Sequence, residues 1–390
     1  MRALELLAPA KNLACGMAAI DHGADAVYIG APHYGARAAA GNSIEDIQSL
    51  CNYAHQFGAK VYVTLNTIIY DEELEQLRQL VHLLTDIGVD AILVQDMSLL
   101  ELCPLTLPLH ASTQTDNRTA EKVRWLQDIG FSRAVLAREL SVEEIAAIHQ
   151  SVPEMELEVF VHGALCVSYS GICYASQYCF QRSANRGECA QFCRMKFSLF
   201  DANGKEIEHE RHLLSLKDMN QSENLLELIE AGASSFKIEG RLKDVAYVKN
   251  VTAAYSEKLN EIIRRYPDKY CRASLGQCKY SFKPDLKRTF NRGYTSYFAH
   301  ERQSDIASFD TPKAIGEFVG TAKEIRHDSF NVAGVSSFTN GDGLCFLNAD
   351  HQFEGFRANR VVGNRIYPYR MPKGLRPGMS LFRNNDQEFE

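Results

Sequence analysis

The chain has 390 residues, of which 45% are hydrophobic and 23% are charged, values that are ordinary for a globular protein with a large core. Its net charge of −7 argues against nonspecific binding of nucleic acid by the whole molecule, although a local basic surface stays open. No apolar run approaches the roughly 20 residues that span a bilayer, and the N-terminus has no secretory signal pattern. The eleven cysteines then indicate a reducing compartment, so we expect a soluble cytoplasmic protein, and the length predicts two domains.

Short apolar runs alternate with amphipathic stretches over most of the chain. Eight runs are predicted as β-strands: Leu4–Leu7, Ala26–Ile29, Lys60–Leu65, Ala91–Val94, Pro108–Ala111, Ala134–Ala137, Glu158–Val161 and Ser235–Ile238. Five stretches are predicted as helices: Ser43–Phe57, Asp71–Ile87, Ala120–Ile129, Val142–Gln150 and Val245–Arg265. Glycines such as Gly88 and Gly130 stand where a helix ends before the next strand.

Repeated strand–helix units imply parallel strands that are joined by right-handed crossovers. Eight such strands favour an α/β fold of the TIM-like (β/α)8 barrel type over an open doubly wound sheet, which stays the alternative. We expect this barrel domain to cover residues 1–270, with an inserted Cys-rich segment at 164–215. Short β-like runs at Phe318–Ala322, Ser329–Val335 and Gly343–Phe346 predict a small β-rich C-terminal domain, a β-barrel, over 275–390. Because no capping element follows Phe382, we expect that domain to be truncated.

Four cysteines of the inserted segment, Cys166, Cys173, Cys189 and Cys193, form a C-x6-C-x15-C-x3-C pattern. Buried core cysteines do not usually gather on a polar, glycine-containing segment. A structural zinc site normally shows two closely paired cysteine knuckles, and here only the second pair has that spacing. Four thiolates hold a [4Fe–4S] centre, so an iron–sulfur cluster is the favoured interpretation, with zinc and a purely structural role as alternatives.

Polar residues cluster where the predicted strands end, and in α/β barrels these positions carry catalysis. The candidates are Arg37, Asn66, His110, Gln114, Arg138, Glu139, His162 and Glu239. Arg241 lies beyond the eighth strand. A barrel mouth that is lined by arginines, histidines and amides suits an anionic ligand, and two guanidiniums suit a small dicarboxylate.

A second group of candidates lies in residues 264–292, where basic side chains alternate with aromatic ones. The basic candidates are Arg264, Arg265, Lys279, Lys287, Arg288 and Arg292. Most charge runs are solvated faces, but this alternation also suits RNA phosphates and unstacked bases. No H-E-x-x-H or G-x-S-x-G motif marks a hydrolase.

The segments ELLAPAKN, GADAVYIG, VHGALCVSYSGIC, SLKDMN and KIEGR resemble the collagenase-like U-type peptidase family. Despite that name, the resemblance points to RNA-hydroxylating members, which act on cytidine in 23S-type ribosomal RNA or on the wobble uridine of tRNA without oxygen. It implies a [4Fe–4S] cluster on the four cysteines and prephenate as a co-substrate. The alternatives are a peptidase that acts on proteins and a factor for quinone-ring hydroxylation.

Overall fold

The computed structural model of the chain describes residues 1–36, 41–104 and 106–390. The strands of its first part are β1 (Arg2–Ala10), β2 (Ala26–Gly30), β3 (Lys60–Leu65), β4 (Ala91–Val94), β5 (Leu109–Ala111), β6 (Arg133–Val135), β7 (Glu156–Ala164), β8 (Phe197–Phe200), β9 (Glu206–Arg211), β10 (Asp218–Asn220) and β11 (Ser235–Ile238). The later strands are β12 (Tyr270–Arg272), β13 (Tyr294–Thr295), β14 (Glu317–Lys323), β15 (Phe330–Ala333), β16 (Gly343–Leu347), β17 (Phe353–Val362), β18 (Arg365–Pro368) and β19 (Ser380–Asn385).

The described α-helices follow the strands in a regular alternation. They are α1 (Leu13–Asp21), α2 (Ile44–Ala54), α3 (Leu74–Asp86), α4 (Leu99–Leu102), α5 (Ala120–Asp128), α6 (Val142–Ser151), α7 (Ala175–Phe180), α8 (Leu225–Glu230) and α9 (Val245–Arg265). Within the described ranges, no helix is long and apolar enough to cross a membrane.

Eight parallel strands close into a barrel in the order β1 to β7 followed by β11, which pairs with both β7 and β1. The predicted TIM-like barrel is therefore confirmed, and each of the eight predicted strands corresponds to a barrel strand. Local chemistry explains the helix ends. At α6, Ser141 accepts a hydrogen bond from the Glu144 amide while Glu144 accepts from the Ser141 amide, which is a capping box. Beyond α3, Gly88 adopts the left-handed backbone (φ +80°) that favours glycine after a helix.

Charged side chains fill the barrel interior toward the N-terminal ends of the strands. Arg133 of β6 donates to Glu5 at 2.6 Å and to Glu158 at 3.2 Å. Lys237 of β11 donates to Glu158 at 2.7 Å, and the Tyr62 hydroxyl donates to Glu5 at 2.5 Å. Burial opposes the ionisation of Glu5, but the charge and hydrogen bond of Arg133 hold its pKa below the ordinary value. These paired groups form a polar floor beneath the barrel mouth.

The chain divides into two compact units. The first consists of Met1–Phe192, Met219–Pro284 and Ser296–Gln303, and it contains the parallel barrel. The second consists of Cys193–Asp218, Asp285–Thr295 and Ser304–Glu390. The expected domains were 1–270 and 275–390. In the structure, the part of the inserted segment from Cys193 onward groups with the C-terminal unit, and residues 296–303 group with the barrel.

The second unit contains a closed antiparallel barrel with the strand order β14–β15–β18–β17–β16–β19. The apolar residues of its core alternate along these strands, as in Phe330 and Val332 of β15 and Leu344 and Phe346 of β16. The hairpin of β8 and β9 also belongs to this unit. The predicted C-terminal β-barrel is confirmed.

Candidate active site at the barrel mouth

Two arginines lie at the mouth of the barrel, one after β6 and one after β11, with β7 between these two strands. Arg138, which follows β6, donates through Nη2 to Oε2 of Glu239 at 2.8 Å, and its guanidinium stacks on Phe160 at 3.6 Å from the ring centre. Arg241, which follows β11, is buried and donates through Nη1 to the Thr64 hydroxyl at 2.6 Å. The predicted residues Arg138 and Glu239 therefore meet, and Arg241 joins them at the same end of the barrel.

Two buried nitrogen atoms of the barrel interior have no hydrogen-bond partner among the described residues: Nε of Arg138 at the mouth and Nδ1 of His110 beside the polar floor. An unpaired buried polar atom costs about 1–3 kcal/mol, so such atoms usually bond to water or to a ligand. His110 lies inside the barrel with its ring 4.8 Å from that of Tyr62, deeper than the strand end where the sequence predicted it. Burial, together with the charges of Arg133 and Lys237, holds the pKa of His110 well below its ordinary value, so the ring is neutral.

The Asn66 side chain and the main-chain amide of Gln114 make hydrogen bonds that hold the loops of the rim together. Asn66 accepts from the Ala36 amide at 3.0 Å and donates to the Ser112 hydroxyl at 3.1 Å, which ties the loop after β2 to the loop after β5. The same hydroxyl accepts from the Gln114 amide at 3.3 Å. Arg37, the remaining arginine predicted for the mouth, lies outside the described residues.

His162 does not face the mouth, which corrects the sequence interpretation. Its Nδ1 lies 3.3 Å from the Tyr255 hydroxyl of α9, and its ring also contacts Tyr247 of that helix. The cause is a β-bulge in the pairing of β7 with β11, between Phe160 and His162. An extra residue reverses the side-chain alternation, so Phe160 faces the barrel interior while His162 faces the helix layer.

The cysteine segment is fastened to the barrel rim at two places. Glu139, a predicted site residue, accepts from the amide and the hydroxyl of Ser170, both at 3.0 Å. Beside this contact Gly171 has a φ of +84°, and a Cβ there would lie 2.4 Å from the Gln114 carbonyl oxygen, so only glycine fits. At the other fastening point, Arg186 donates to both carboxylate oxygens of Glu73, at 2.6 and 2.7 Å.

Two thiols of this segment accept hydrogen bonds from main-chain amides. The Gln191 amide donates to Sγ of Cys189 at 3.4 Å, and a backbone hydrogen bond from Ser168 reaches the Cys166 thiol. Burial raises the pKa of Cys166, and the neighbouring thiols of Cys173 and Cys189 raise it further. Within the described parts of the chain, no group of three or more His, Cys, Asp or Glu side chains is close enough to hold a metal ion. Cys193 lies at the start of the second unit.

Tyr297 is a site residue that the sequence did not reveal. It is buried within the first unit, and its backbone is left-handed (φ +55°), which is unusual for a residue other than glycine. Burial raises its pKa to about 12, and the charges of Glu139 and Cys166 add to this effect. The tyrosine thus reaches the cysteine side of the mouth from a segment more than a hundred residues downstream, and no local pattern marks it.

The predicted RNA-binding residues are divided between the two compact units. Arg264 and Arg265 end α9, and Arg264 and Lys279 line a cavity of about 700 Å³ beside Gly23 and Phe57, at the N-terminal ends of β2 and β3. This is the end of the barrel opposite the mouth.

The other predicted RNA-binding residues, Lys287, Arg288 and Arg292, belong to the second unit. There Arg288 pairs with Asp386 at 3.4 Å, and Arg292 pairs with Asp218 at 2.8 Å. These two arginines make ion pairs within their own unit, as basic residues of an ordinary protein surface do.

Comparison with known proteins gives a consistent set of relatives. The model of the family described as Peptidase family U32 matches residues 11–308. The 23S rRNA 5-hydroxycytidine synthase of Escherichia coli is 49% identical over 395 residues, which cover 99% of this chain and 60% of that protein. The tRNA hydroxylation protein P1 of Bacillus subtilis is 38% identical over 277 residues (68% and 64%), and a collagenase of Porphyromonas gingivalis is 30% identical over 355 residues (86% and 82%). The chain thus spans about three fifths of the length of the first of these relatives.

Proposed function

The chain belongs to peptidase family U32, and from that membership we propose that it is an enzyme that hydroxylates a pyrimidine of RNA. Ribosomal RNA of the 23S type is the first candidate substrate and tRNA is the second, because relatives with these two names match the chain at 49% and 38% identity. The cytoplasm is the corresponding location. The observation that carries the proposal is the fastening of the cysteine segment to the rim of a barrel mouth where the buried Nε of Arg138 has no hydrogen-bond partner among the described residues.

Cys166, Cys173, Cys189 and Cys193 are the residues that would hold a [4Fe–4S] cluster. Their donor set fits such a group, because four thiolates are its usual ligands and amide hydrogen bonds to sulfur are typical of its sites. The cluster would supply electron transfer or Lewis-acid chemistry when bound. Zinc is the alternative metal.

Arg37 and Arg138 are the two arginines that would bind a small dicarboxylate such as prephenate, and Arg241 lies at the same end of the barrel as Arg138. A guanidinium holds a carboxylate through two parallel N–H bonds, and Nε of Arg138 is a donor without a partner among the described residues. Glu239 holds this guanidinium from the other side, so its orientation is set before the ligand arrives.

Nucleoside mass spectrometry of RNA from a strain that lacks the gene tests the proposed function. We expect one hydroxylated pyrimidine to disappear from either the ribosomal RNA or the tRNA fraction, each analysed separately. The wild-type gene should restore it, and a Cys166→Ser gene should not. An unchanged nucleoside profile in both fractions would contradict the proposal.

Metal analysis tests the cofactor independently of activity. Anaerobically purified protein should contain about four irons and four labile sulfides per chain and show broad visible absorption. Replacing any one of the four cysteines by serine should remove both signals. Cys179→Ser is the matched control, because this exposed thiol lies in the same segment outside the proposed ligand set. Stoichiometric zinc without sulfide would show that the alternative metal is correct.

The peptidase alternative rests on the collagenase of P. gingivalis, which is 30% identical to the chain. It predicts cleavage of gelatin or casein by the purified protein. Cleavage that persists after inactivation of contaminating proteases, together with unchanged RNA in the deletion strain, would favour the peptidase.

A further inference from the structure

The segment between Cys166 and Cys189 exposes an unusual number of aromatic side chains. Tyr178 is 91% exposed and Tyr174 is 63% exposed, while Tyr169 and Phe180 are also exposed. Tyr174 and Tyr178 are four residues apart, and the Tyr178 amide donates to the Tyr174 carbonyl, so they stand one helical turn apart at α7. Such a concentrated set of exposed rings marks an interaction surface rather than ordinary surface. We call Tyr169, Tyr174, Tyr178 and Phe180 the aromatic face.

The segment of the aromatic face is basic in an otherwise acidic chain, but Arg186 and the neighbouring Arg118 are paired with Glu73 and Asp116, so Arg182 is the cation of this surface that has no ion pair among the described residues. Residues 164–192 contain Arg182 and Arg186 but only one acidic residue, Glu188, whereas the whole chain has a net charge of −7. The Arg118 guanidinium stacks on Tyr169 at 4.3 Å from the ring centre and is held in place by both oxygens of Asp116. Cationic groups with exposed rings are the combination that binds the backbone and bases of single-stranded nucleic acid.

The aromatic face is also adjacent to the candidate active site. Tyr169 directly precedes Ser170, which is bonded to Glu139 at the barrel rim, and Cys166 lies three residues before Tyr169. A base that reacts at the barrel mouth must leave any helical stack, and this costs least in a single-stranded substrate, whose neighbouring bases are free to stack on such a surface.

We propose that the aromatic face binds unpaired bases of the substrate RNA by stacking, with Arg182 as a contact for its phosphates. This inference rests on the proposed function and assigns the RNA contact to a surface other than residues 264–292. It agrees with the position of Arg264 and Lys279 at the opposite end of the barrel and with the ion pairs of Arg288 and Arg292.

A membrane-binding face would instead combine Trp, Phe or Leu side chains with a polar face that is rich in lysine and arginine. Here tyrosines alternate with the amide side chains of Gln177 and Gln181.

Fluorescence anisotropy with a labelled, unstructured RNA of about 16 nucleotides tests this surface. Tyr174→Ala/Tyr178→Ala should weaken binding by about tenfold or more, because two stacking platforms are lost. Tyr174→Phe/Tyr178→Phe should retain wild-type affinity, since phenyl rings stack without the hydroxyl groups. Tyr369→Ala is the matched control, because Tyr369 is also 91% exposed but lies in the second unit, and its loss should leave the affinity unchanged. A fully duplex RNA of the same sequence should bind all variants equally.

The outcomes separate this inference from the proposed function. Unchanged RNA affinity in the double alanine variant, or an equal loss in the Tyr369→Ala control, would overturn the inference. If the deletion strain still lacks a hydroxylated pyrimidine in that case, the proposed function stands alone. If the wild-type protein binds no RNA and the deletion leaves all nucleosides unchanged, both fail. Tyr178→Ser changes only the most exposed of the four positions, so it should fold normally. If the double variant does not fold, weaker RNA binding by Tyr178→Ser still tests the inference.

Discussion

The floor and the mouth of the barrel use the same kinds of residue in different ways. In the floor, Arg133 is bonded to Glu5 and Glu158, and these carboxylates accept further bonds from Tyr62 and Lys237. In the mouth, Arg138 has one carboxylate partner, and its buried Nε has no partner among the described residues. A saturated network holds the strands together, whereas an unsaturated one keeps bonding capacity for a ligand. The two arginines therefore differ chiefly in the number of their partners.

Breaking the floor should have the largest effect. Arg133→Met leaves Glu5 and Glu158 buried beside Lys237 as their remaining cation, and loss of one partner from a buried ion pair costs about 3–5 kcal/mol. We expect the free energy of unfolding, measured by urea denaturation, to fall by that amount. Arg78→Met is the control, because Arg78 is exposed and its pair with Glu75 contributes about 1 kcal/mol at most. Similar losses in the two variants would show that the floor network is not structural.

Changing the mouth should alter ligand binding and spare stability. Arg138→Lys should weaken the binding of prephenate by about 1.5–3 kcal/mol, the range for a charged hydrogen bond, because an ammonium cannot bind a carboxylate bidentately. Calorimetric titration gives the affinity, and the melting temperature of the same sample reports stability. Arg124→Lys, at an exposed arginine of α5, is the control. Unchanged affinity in both Arg37→Lys and Arg138→Lys would place the ligand elsewhere.

The smallest expected effect concerns His162, which lies outside both the floor and the mouth. Burial, with a contribution from Lys243, lowers its pKa to about 3, whereas the unfolded chain has the ordinary value of about 6.5. Below pH 6.5 the unfolded state therefore takes up a proton that the folded state does not, and stability falls as the pH falls toward 3. Between pH 6.5 and 5.5 this loss amounts to about 1 kcal/mol.

Urea denaturation at these two pH values should show that His162→Asn has a weaker pH dependence than the wild type. His110, whose pKa is also lowered, contributes the same trend in both proteins and cancels in the comparison. An identical pH dependence in both proteins would mean that His162 titrates normally in the folded state.

Local patterns in the sequence were sufficient for the elements of the barrel. Apolar periodicity identified all eight barrel strands, and α9 was predicted with its observed bounds, because Asp244 caps its first turn and two arginines end it. The strand–helix alternation then implied parallel closure, and the cysteine spacing marked the inserted segment. These features depend on residues that are near each other in the chain, so the sequence displays them directly. The match of the family model to residues 11–308 confirms the family that the sequence motifs indicated.

Only the tertiary structure decided which predicted residues share a site. The pairing of Arg138 with Glu239 and the arrival of Tyr297 beside Glu139 depend on contacts between distant segments, which no local pattern encodes. The side on which His162 lies depends on one bulge in a strand pairing, and a single extra residue reverses the alternation. The basic segment is divided because the boundary between the two compact units falls after Pro284. Sequence periodicity specifies which residues are buried in an element, whereas strand register and chain closure specify what they face.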